Sequence, residues 1–376
     1  PKGLKKMKRR EFIRMLTGGT IMFYATVQSG NSLKAKETDG MKKKGLDSNV
    51  ISNDTREILR LASLAPSGHN TQPWLVQMIE PEHFTLSIDE SRYLPEVDPD
   101  HRETLISMGC FLENLSLAAG NLGYRAEIDI IAQKSDDKEI AAVHLSQDEQ
   151  ITYPVEWMEN RRTLRSGYAA EPIRTGDLDF LTDSHSDHWI YFTPGSSQSE
   201  YIEKVTLAAF TQQTYRDSAQ AELADWIRFS KKEIKEHKDG LTPATMEMPW
   251  VARVITGMFY DEKKVMSDSF RETGIKGVKD QLAQHGGWLI LSSKDLSPES
   301  LLESGRRFQR LALKAREKNI AVHPMSQALE EDPWKDQVAE KLGIQGEVQF
   351  LLRVGYVDSY PEPVSPRRPV DWFVQA

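Results

Sequence analysis

The chain carries LASLAPSGHNTQPW at Leu61–Trp74, between a helical pattern and an apolar run, Leu75–Ile79, that predicts a strand. Pro66 ends the helix, because a proline ring excludes the preceding residue from helical backbone angles. Gly68 has no side chain and lets the backbone come close to a flat group. The stretch therefore predicts either an ordinary helix-to-strand connection or a turn that presents hydroxyl and amide groups to a ligand.

Composition and charge narrow the classes of function. The apolar and charged fractions of the 376 residues are those of a soluble globular protein with one large or two small domains. The net charge is −8, and residues 1–44 alone carry +9, so the remainder carries −17. Nucleic-acid binding by the folded body is therefore not expected. Cys110 is the only cysteine, which excludes an internal disulfide and a thiolate metal cluster.

The first 30 residues have the layout of an export signal, with a basic start, an apolar middle at Met15–Gln28 and a polar exit. The string RREFI at Arg9–Ile13 looks like a twin-arginine signal. We expect a signal at 1–30, a flexible linker at 31–53, and export by the twin-arginine machinery to the periplasm. A basic helix on a membrane surface, or an uncleaved signal that holds the protein at the membrane, remains the alternative.

Hydrophobic periodicity divides the rest of the chain into two similar halves. Asp54 or Thr55 is expected to cap the helix that leads to Pro66, and a long helix is expected at Leu105–Gly123. The other expected strands lie at Phe84–Ile88, Arg125–Ile131, Ile140–Leu145, Gly286–Ser292 and Glu347–Tyr356. Met108–Tyr124 aligns with Ser304–Ile320 at an offset of 196 residues, which pairs Gly109 with Gly305 and indicates duplication.

Two segments of the second half depart from the first. Asp179–Pro194 takes the place of the Pro66 loop and keeps a tryptophan before a strand, Trp189, but has lost the Pro-Ser-x-x-Asn pattern. An insertion occupies about 200–285, helical at first and later rich in Met, Pro and aromatic residues. Its later part is either an ordinary segment that covers the core or a lid across a flat ligand.

The string Pro66-Ser67-x-x-Asn70-x-Gln72-Pro73-Trp74 resembles the nitroreductase family of flavin-binding oxidoreductases. The resemblance implies an α+β fold, with a central mixed or antiparallel sheet flanked by helices, and flavin mononucleotide (FMN) as cofactor. The pattern is most similar to the Acg-type branch, in which one chain imitates the family's dimer. We therefore expect a half at 54–158, a half at 159–376, and a monomer that binds one flavin between them.

The same resemblance implies which residues bind the cofactor. Pro66, Ser67 and Asn70 are expected against the ring, with Gln72 and Trp74 structural, and Met325 and Ser326 near the redox-active middle of the ring. The phosphate, which favours arginines and hydroxyls, is expected at Arg161, Arg162, Thr163 and Arg165, together with Arg367 or Arg368. The flavin would carry the chemistry, so no side chain is assigned as catalytic, and no metal site is expected.

The function implied is two-electron transfer from a reduced nicotinamide, NAD(P)H, to a small acceptor such as a nitro compound or quinone, in a ping-pong sequence. The rival is a flavin-sequestering protein without turnover, its site closed by the insertion. A third reading is a binding module whose flavin site is vestigial. Access to the ring separates the first two, and the absorption spectrum of the purified protein tests the third.

Overall fold

A computed structural model of the chain describes residues 51–183 and 187–376. The predicted signal at 1–30, and the predicted linker up to residue 50, lie outside the described residues. Within the described residues, no helix is both long enough and apolar enough to cross a bilayer.

The first half alternates helices and strands in the predicted order. Its elements are α1 (Asn53–Ala62), β1 (Trp74–Glu80), β2 (His83–Ile88), α2 (Arg102–Asn121), β3 (Tyr124–Ile130), β4 (Glu139–Gln147) and α3 (Val155–Asn160). The predicted cap of α1 is wrong, because Ser52 fills that position and its hydroxyl accepts a hydrogen bond from Thr55 N at 3.0 Å. Gly123 follows α2 with φ of +79°, the left-handed conformation predicted there.

The second half contains the insertion between its first two strands. It begins with α4 (Thr175–Thr182) and β5 (Trp189–Phe192). The insertion supplies α5 (Ser197–Tyr215), α6 (Asp217–Asp225), α7 (Lys231–His237), α8 (Trp250–Phe259), α9 (Glu262–Val265) and α10 (Asp268–Leu282). The chain continues through β6 (Gly287–Ser293), α11 (Pro298–Ala315), β7 (Ile320–Pro324), α12 (Val338–Leu342), β8 (Glu347–Tyr356) and β9 (Val374–Gln375). The predicted boundary between the halves, at 158/159, falls within α3.

Two sheets repeat one topology. The first has the strand order β3-β4-β2-β1-β9, and the second has the order β5-β6-β8-β7. Without β9, both follow the same path: two successive strands, a central helix, then two strands that return in reverse spatial order. All these neighbours are antiparallel, whereas β9 runs parallel to β1 with Val374 opposite Val76. The α+β class is confirmed, and the two sheets share one order of strands.

The two central helices, α2 and α11, cross at a pair of glycines. A Cβ atom placed on Gly109 would lie 2.0 Å from the carbonyl oxygen of Leu302, and one placed on Gly305 would lie 2.0 Å from that of Ile106. The two contacts are equivalent at the offset predicted from the sequence. Only residues without a side chain permit so close an approach of two backbones.

The insertion and the C-terminal segment both cross from one half to the other. In the first half β1 and β2 are joined directly at Pro81-Glu82, and in the second half the insertion takes the place of that turn. The segment after β8 returns to the first half, where β9 extends the sheet beside β1. Elements of both halves therefore meet around the loop that follows α1.

Candidate functional site

A cleft opens between the loop after α1 and two segments of the second half. It contains a cavity of about 220 Å³ beside the first turns of α2. Its polar lining comes from Ser67, His69, Glu103, Ser107, Thr163, Arg165, Gln213, His323, Ser326, Gln327 and Glu330, and its apolar lining includes Pro66, Leu94, Val97, Ile106, Cys110, Phe308 and Phe350. The structure thus brings Pro66, Ser67, Thr163, Arg165 and Ser326 together at one cavity.

The loop itself has an unusual backbone. His69, Asn70 and Gln72 have φ values of +46°, +55° and +55°, which non-glycine residues rarely adopt. Local hydrogen bonds support this conformation, since Ser67 Oγ accepts from Gln72 N at 2.9 Å. That acceptor role leaves the Ser67 hydroxyl hydrogen available to a ligand. Strained backbone of this kind is concentrated at functional sites.

Asn70 connects the loop to two other segments and does not line the cavity. Its Nδ2 donates to the carbonyl oxygens of Gly240, at 3.1 Å, and Pro366, at 3.2 Å, and its Oδ1 accepts from Arg367 at 2.6 Å. Gly240 N also donates to Asn70 O at 3.1 Å. The side chain predicted to contact a ring therefore fixes the loop against the insertion and the C-terminal segment.

Gln72 and Trp74, predicted to be structural, are fully buried. Gln72 Nε2 donates to Lys238 O at 2.9 Å, and its Oε1 accepts from Arg368 N at 2.9 Å. The Arg368 guanidinium contacts the carbonyl oxygens of Gln72 and Trp74. Arg368 is 3% exposed, so its buried side chain holds the loop in place.

Arg367 is placed differently. Its guanidinium donates to Asn70 Oδ1, to Pro366 O and to the last carbonyl oxygens of the α1 end, those of Leu64 and Ala65. Burial and, second, the nearby charge of Arg161 lower the pKa of Arg367 to about 9. Arg367, and not Arg368, therefore lies beside the predicted phosphate segment.

The predicted phosphate segment follows α3. Thr163 and Arg165 line the cavity, whereas Arg162 donates to Glu362 O at 2.6 Å. Burial lowers the pKa of both Arg161 and Arg165. The Arg165 charge is near enough to His69 to help burial lower the pKa of that imidazole to about 4. The segment and the loop thus face one another across the cleft.

This side of the cleft has more positive charge, on partly buried arginines, than the described acids neutralise. Arg161 and Arg367 make no ion pair with any described carboxylate, and their Nε atoms, like that of Arg162, are buried without a hydrogen-bond partner. Buried guanidinium groups normally have an anionic partner, because desolvation of an unpaired charge is costly. A phosphate dianion fits this donor set, since guanidinium groups bind phosphate oxygens in pairs.

The loop after β7 supplies the opposite wall. Ser326 lines the cavity, but the Met325 side chain is 2% exposed and packs in the apolar core of the second half. His323 is 8% exposed and lines the cavity, and its Nδ1 has no hydrogen-bond partner. Burial, with the charges of Arg165 and Arg353, holds the pKa of His323 well below the ordinary value. A neutral imidazole thus faces the cleft.

Two acids of the lining, Glu103 and Glu330, were not predicted. Glu103 stands in the first turn of α2, where acids are common on solvated surfaces, and Glu330 follows β7 beside a second glutamate. Both side chains line the cavity, and burial is the largest cause that raises the pKa of each. No spacing in the sequence relates two residues so far apart, so the pair could be found only in the folded chain.

The insertion contacts both sides of the cleft. Besides the Gly240–Asn70 pair, Glu247 accepts from Arg165 N at 3.0 Å and from Ser166 Oγ at 2.5 Å. The following helix, α8, keeps a largely exposed apolar face that includes Trp250 and Met258, 76% and 71% exposed. The Met- and Pro-rich segment therefore adjoins the cleft at its hydrogen-bonded end.

Comparison with known proteins relates the chain to nitroreductases by sequence. No protein-family model matches it. A Mycobacterium tuberculosis protein provisionally named NAD(P)H nitroreductase Rv3131 is 26% identical over 328 residues, 85% of this chain and 90% of the relative. The acg protein of the same organism, also provisionally named NAD(P)H nitroreductase, is 24% identical over 350 residues, 86% and 96% of the two chains. PigM of Serratia, with a similar provisional name, is 23% identical over 334 residues, 81% and 89%.

Solved structures give weaker matches. The FMN-dependent nitroreductase NfnB from Mycobacterium smegmatis, solved in complex with NADPH, superposes with a TM-score of 0.33 and 11% identity, covering 56% of this chain and 93% of that chain. A nitroreductase-like protein from Bacillus cereus gives a TM-score of 0.33 and 13% identity over 60% and 97%. The sequence similarity, which spans most of each relative, therefore has more weight than these superpositions.

Proposed function

We propose that the chain belongs to the nitroreductase family, binds FMN in the cleft between Pro66–His69 and Thr163–Arg165, and catalyses electron transfer from NAD(P)H to a small acceptor. The observation that carries the proposal is a set of arginines beside the cleft: Arg161 and Arg367 make no ion pair with any described carboxylate, and each has a buried Nε atom without a hydrogen-bond partner. The names of the relatives, which match almost their whole length, support the same assignment.

Each side of the cleft would meet a different part of the cofactor. Arg161, Arg165 and Arg367 would hold the phosphate, and the backbone at Pro66–Gly68 would lie against the ring. Ser326 and the Ser67 hydroxyl would bond to its polar edge. The flavin, when bound, supplies the two-electron chemistry, and the protein supplies positive charge and excludes water around it.

The arrangement of the halves accounts for a single site. The first half contributes the loop at Pro66, and the second contributes the arginine segment, so one composite cleft results. The repeated strand order and the paired glycines at the helix crossing support an origin by internal duplication. We expect a monomer with one flavin, which light scattering and the ratio of absorbance at the flavin and protein bands would measure.

Two variants with one control test flavin binding. The flavin-free protein is titrated with FMN and with riboflavin, which lacks the phosphate, and the flavin fluorescence is followed. Wild type should bind FMN at least about 100-fold more tightly, since charge-assisted hydrogen bonds contribute roughly 1.5–3 kcal/mol each. Arg161→Gln and Arg367→Gln should lose most of this preference, and the exposed control Arg125→Gln should keep it. Equal affinity of wild type for the two flavins would sink the proposal.

The second candidate, a flavin store without turnover, is favoured by one observation. The insertion is hydrogen-bonded to both walls, at Asn70 and at Arg165, as a closed lid would be. Anaerobic mixing of the flavin-loaded protein with NADPH or NADH separates the two. Bleaching of the yellow colour at a rate that depends on the nicotinamide concentration supports the enzyme. Bleaching by reduced viologen alone supports the store.

We further propose that the protein is exported by the twin-arginine route and works in the periplasm or at the membrane. The basic start and Arg9-Arg10 support this assignment, and a tightly held flavin suits a route associated with proteins exported already folded. Replacement of both arginines by lysine in the full chain should retain the protein in the cytoplasmic fraction, and unchanged fractionation would overturn this proposal.

A further inference from the structure

The carboxyl pair Glu103–Glu330 lines a part of the cavity wall to which the proposed function assigns no contact with the cofactor. The two side chains line the same cavity, and the nearby charge of Glu103 helps burial raise the pKa of Glu330. Gln213 Nε2 donates to Glu330 Oε2 at 2.7 Å, and Arg102 Nη2 lies 3.1 Å from Glu103 Oε1. The pair is therefore held in one geometry from three elements, α2, α5 and the segment after β7.

The charges around the pair favour retention of one proton. Arg102 is the cation that contacts it, whereas the neighbouring Asp98 and the facing carboxyl are both acidic. Glu331, the next acid, is paired with Arg216 at 2.5 Å. Burial, and then the charge of Glu103, raises the pKa of Glu330 well above its ordinary value. One arginine beside three carboxyl groups leaves a net charge of −2, and a single retained proton reduces it to −1.

The pair lies close to the loop, so a molecule held there could accept a proton from it. Glu103 Oε2 lies 3.5 Å from the point where a Cβ on Gly68 would stand, so the carboxyl reaches the backbone proposed to hold the flavin ring. His323 lines the same cavity with its unpartnered Nδ1, from a side chain that is 8% exposed. A small molecule in the cavity would therefore lie within reach of both the ring and the acids.

We propose that the Glu103–Glu330 pair is the proton donor to the acceptor. This inference rests on the proposed function. A quinone becomes a hydroquinone by gaining two electrons and two protons. A bound reduced flavin would supply the two electrons and one proton as hydride, and Glu330 would supply the second proton as its O–H bond breaks and an O–H bond forms on the acceptor. Water then returns a proton to the pair.

Reoxidation of the chemically reduced, flavin-loaded protein tests the inference by stopped flow. Glu330→Gln and Glu103→Gln should slow oxidation by benzoquinone about 100-fold or more, since general-acid catalysis typically contributes 10²–10⁴. Oxidation by ferricyanide, which takes electrons without a proton, should stay within about twofold of wild type. The matched control is Glu222→Gln, a buried acid on α6 that accepts from Glu96 N, and it should change neither rate.

A second measurement needs no cofactor. Infrared spectra of the flavin-free protein at neutral pH should contain the carbonyl band of a protonated buried carboxyl, and Glu330→Gln should remove it. Unchanged benzoquinone rates in both glutamine variants, with flavin still bound, would overturn the proton-donor inference alone. A wild type that binds no flavin would overturn the proposed function with it. An infrared spectrum without that band would show that the pair retains no proton at neutral pH.

Discussion

Replacement of Gly109 by alanine tests the helix crossing on which the cleft depends. The added Cβ would lie 2.0 Å from Leu302 O. Ordinary van der Waals contact begins at about 3.4 Å, so α2 and α11 must separate locally by roughly 1.4 Å or bend. Overpacking of this kind typically costs about 1–3 kcal/mol and more where backbone must move, so we expect a loss of about 3 kcal/mol or more.

The chain offers a matched control at another helical glycine. Gly277 lies within α10, and a Cβ placed there would meet no atom within 4 Å. Gly277→Ala should therefore stabilise the protein by about 0.5–1 kcal/mol, the ordinary helix preference for alanine. Gly305→Ala should cost as much as Gly109→Ala. The double variant should cost less than the sum, because one separation of the helices relieves both contacts.

Thermal unfolding of the flavin-free protein measures these effects. At roughly 2–4 °C per kcal/mol for a domain of 150–250 residues, Gly109→Ala should lower Tm by about 6–12 °C. Ile106, Ser107 and Cys110, on the same helix, line the cavity, so FMN affinity should fall as well. A Gly109→Ala protein that melts within about 2 °C of wild type would refute the close crossing.

Two further predictions concern titration and the two adjacent arginines. The pKa of His69 is about 4 in the folded protein and ordinarily 6.5, so the unfolded chain binds the proton first and stability is lost as pH falls from 6.5 to 4, by at most about 3 kcal/mol. His69→Gln should make the urea unfolding midpoint less dependent on pH over that range, whereas the exposed control His144→Gln should keep the wild-type dependence. Identical plots of midpoint against pH for the two variants would contradict the burial of His69. Arg368→Gln should lower stability by about 2–4 kcal/mol, because buried carbonyl oxygens lose their donor, while the remaining folded protein keeps its preference for FMN over riboflavin. Arg367→Gln should lose the preference for FMN, and loss of that preference in Arg368→Gln would exchange the two roles.

Sequence reasoning succeeded where local chemistry sets the structure. Strand β8 has the predicted bounds, Glu347–Tyr356, because a mostly apolar run in a buried central strand leaves little choice. Gly123 ends α2 as expected, since its left-handed conformation strongly favours glycine. The cap of α1 was misplaced by two or three residues, because Ser52, Asp54 and Thr55 all have side chains that can accept the same bond.

The site was harder to predict because contacts between distant segments decide which side chains face the cavity and which hold the loop. Asn70 was expected at a ring, but its amide is fully used by Gly240, Pro366 and Arg367. Met325 was expected near the middle of the ring; its side chain packs in the core, whereas its neighbours Pro324 and Ser326 line the cavity. The acids of the lining were missed for the same reason, since a carboxyl acquires its environment from elements distant in sequence.

The pairing of β9 with β1 bears on how the chain is made. The loop at Asn70 is held by Arg367, 297 residues downstream. On a ribosome the N-terminal half must therefore wait, with one edge of its sheet open, until the segment from Arg367 to Gln375 has emerged. Such a nascent chain needs protection from aggregation during synthesis, and the cofactor cleft would be completed as one of the last events of folding.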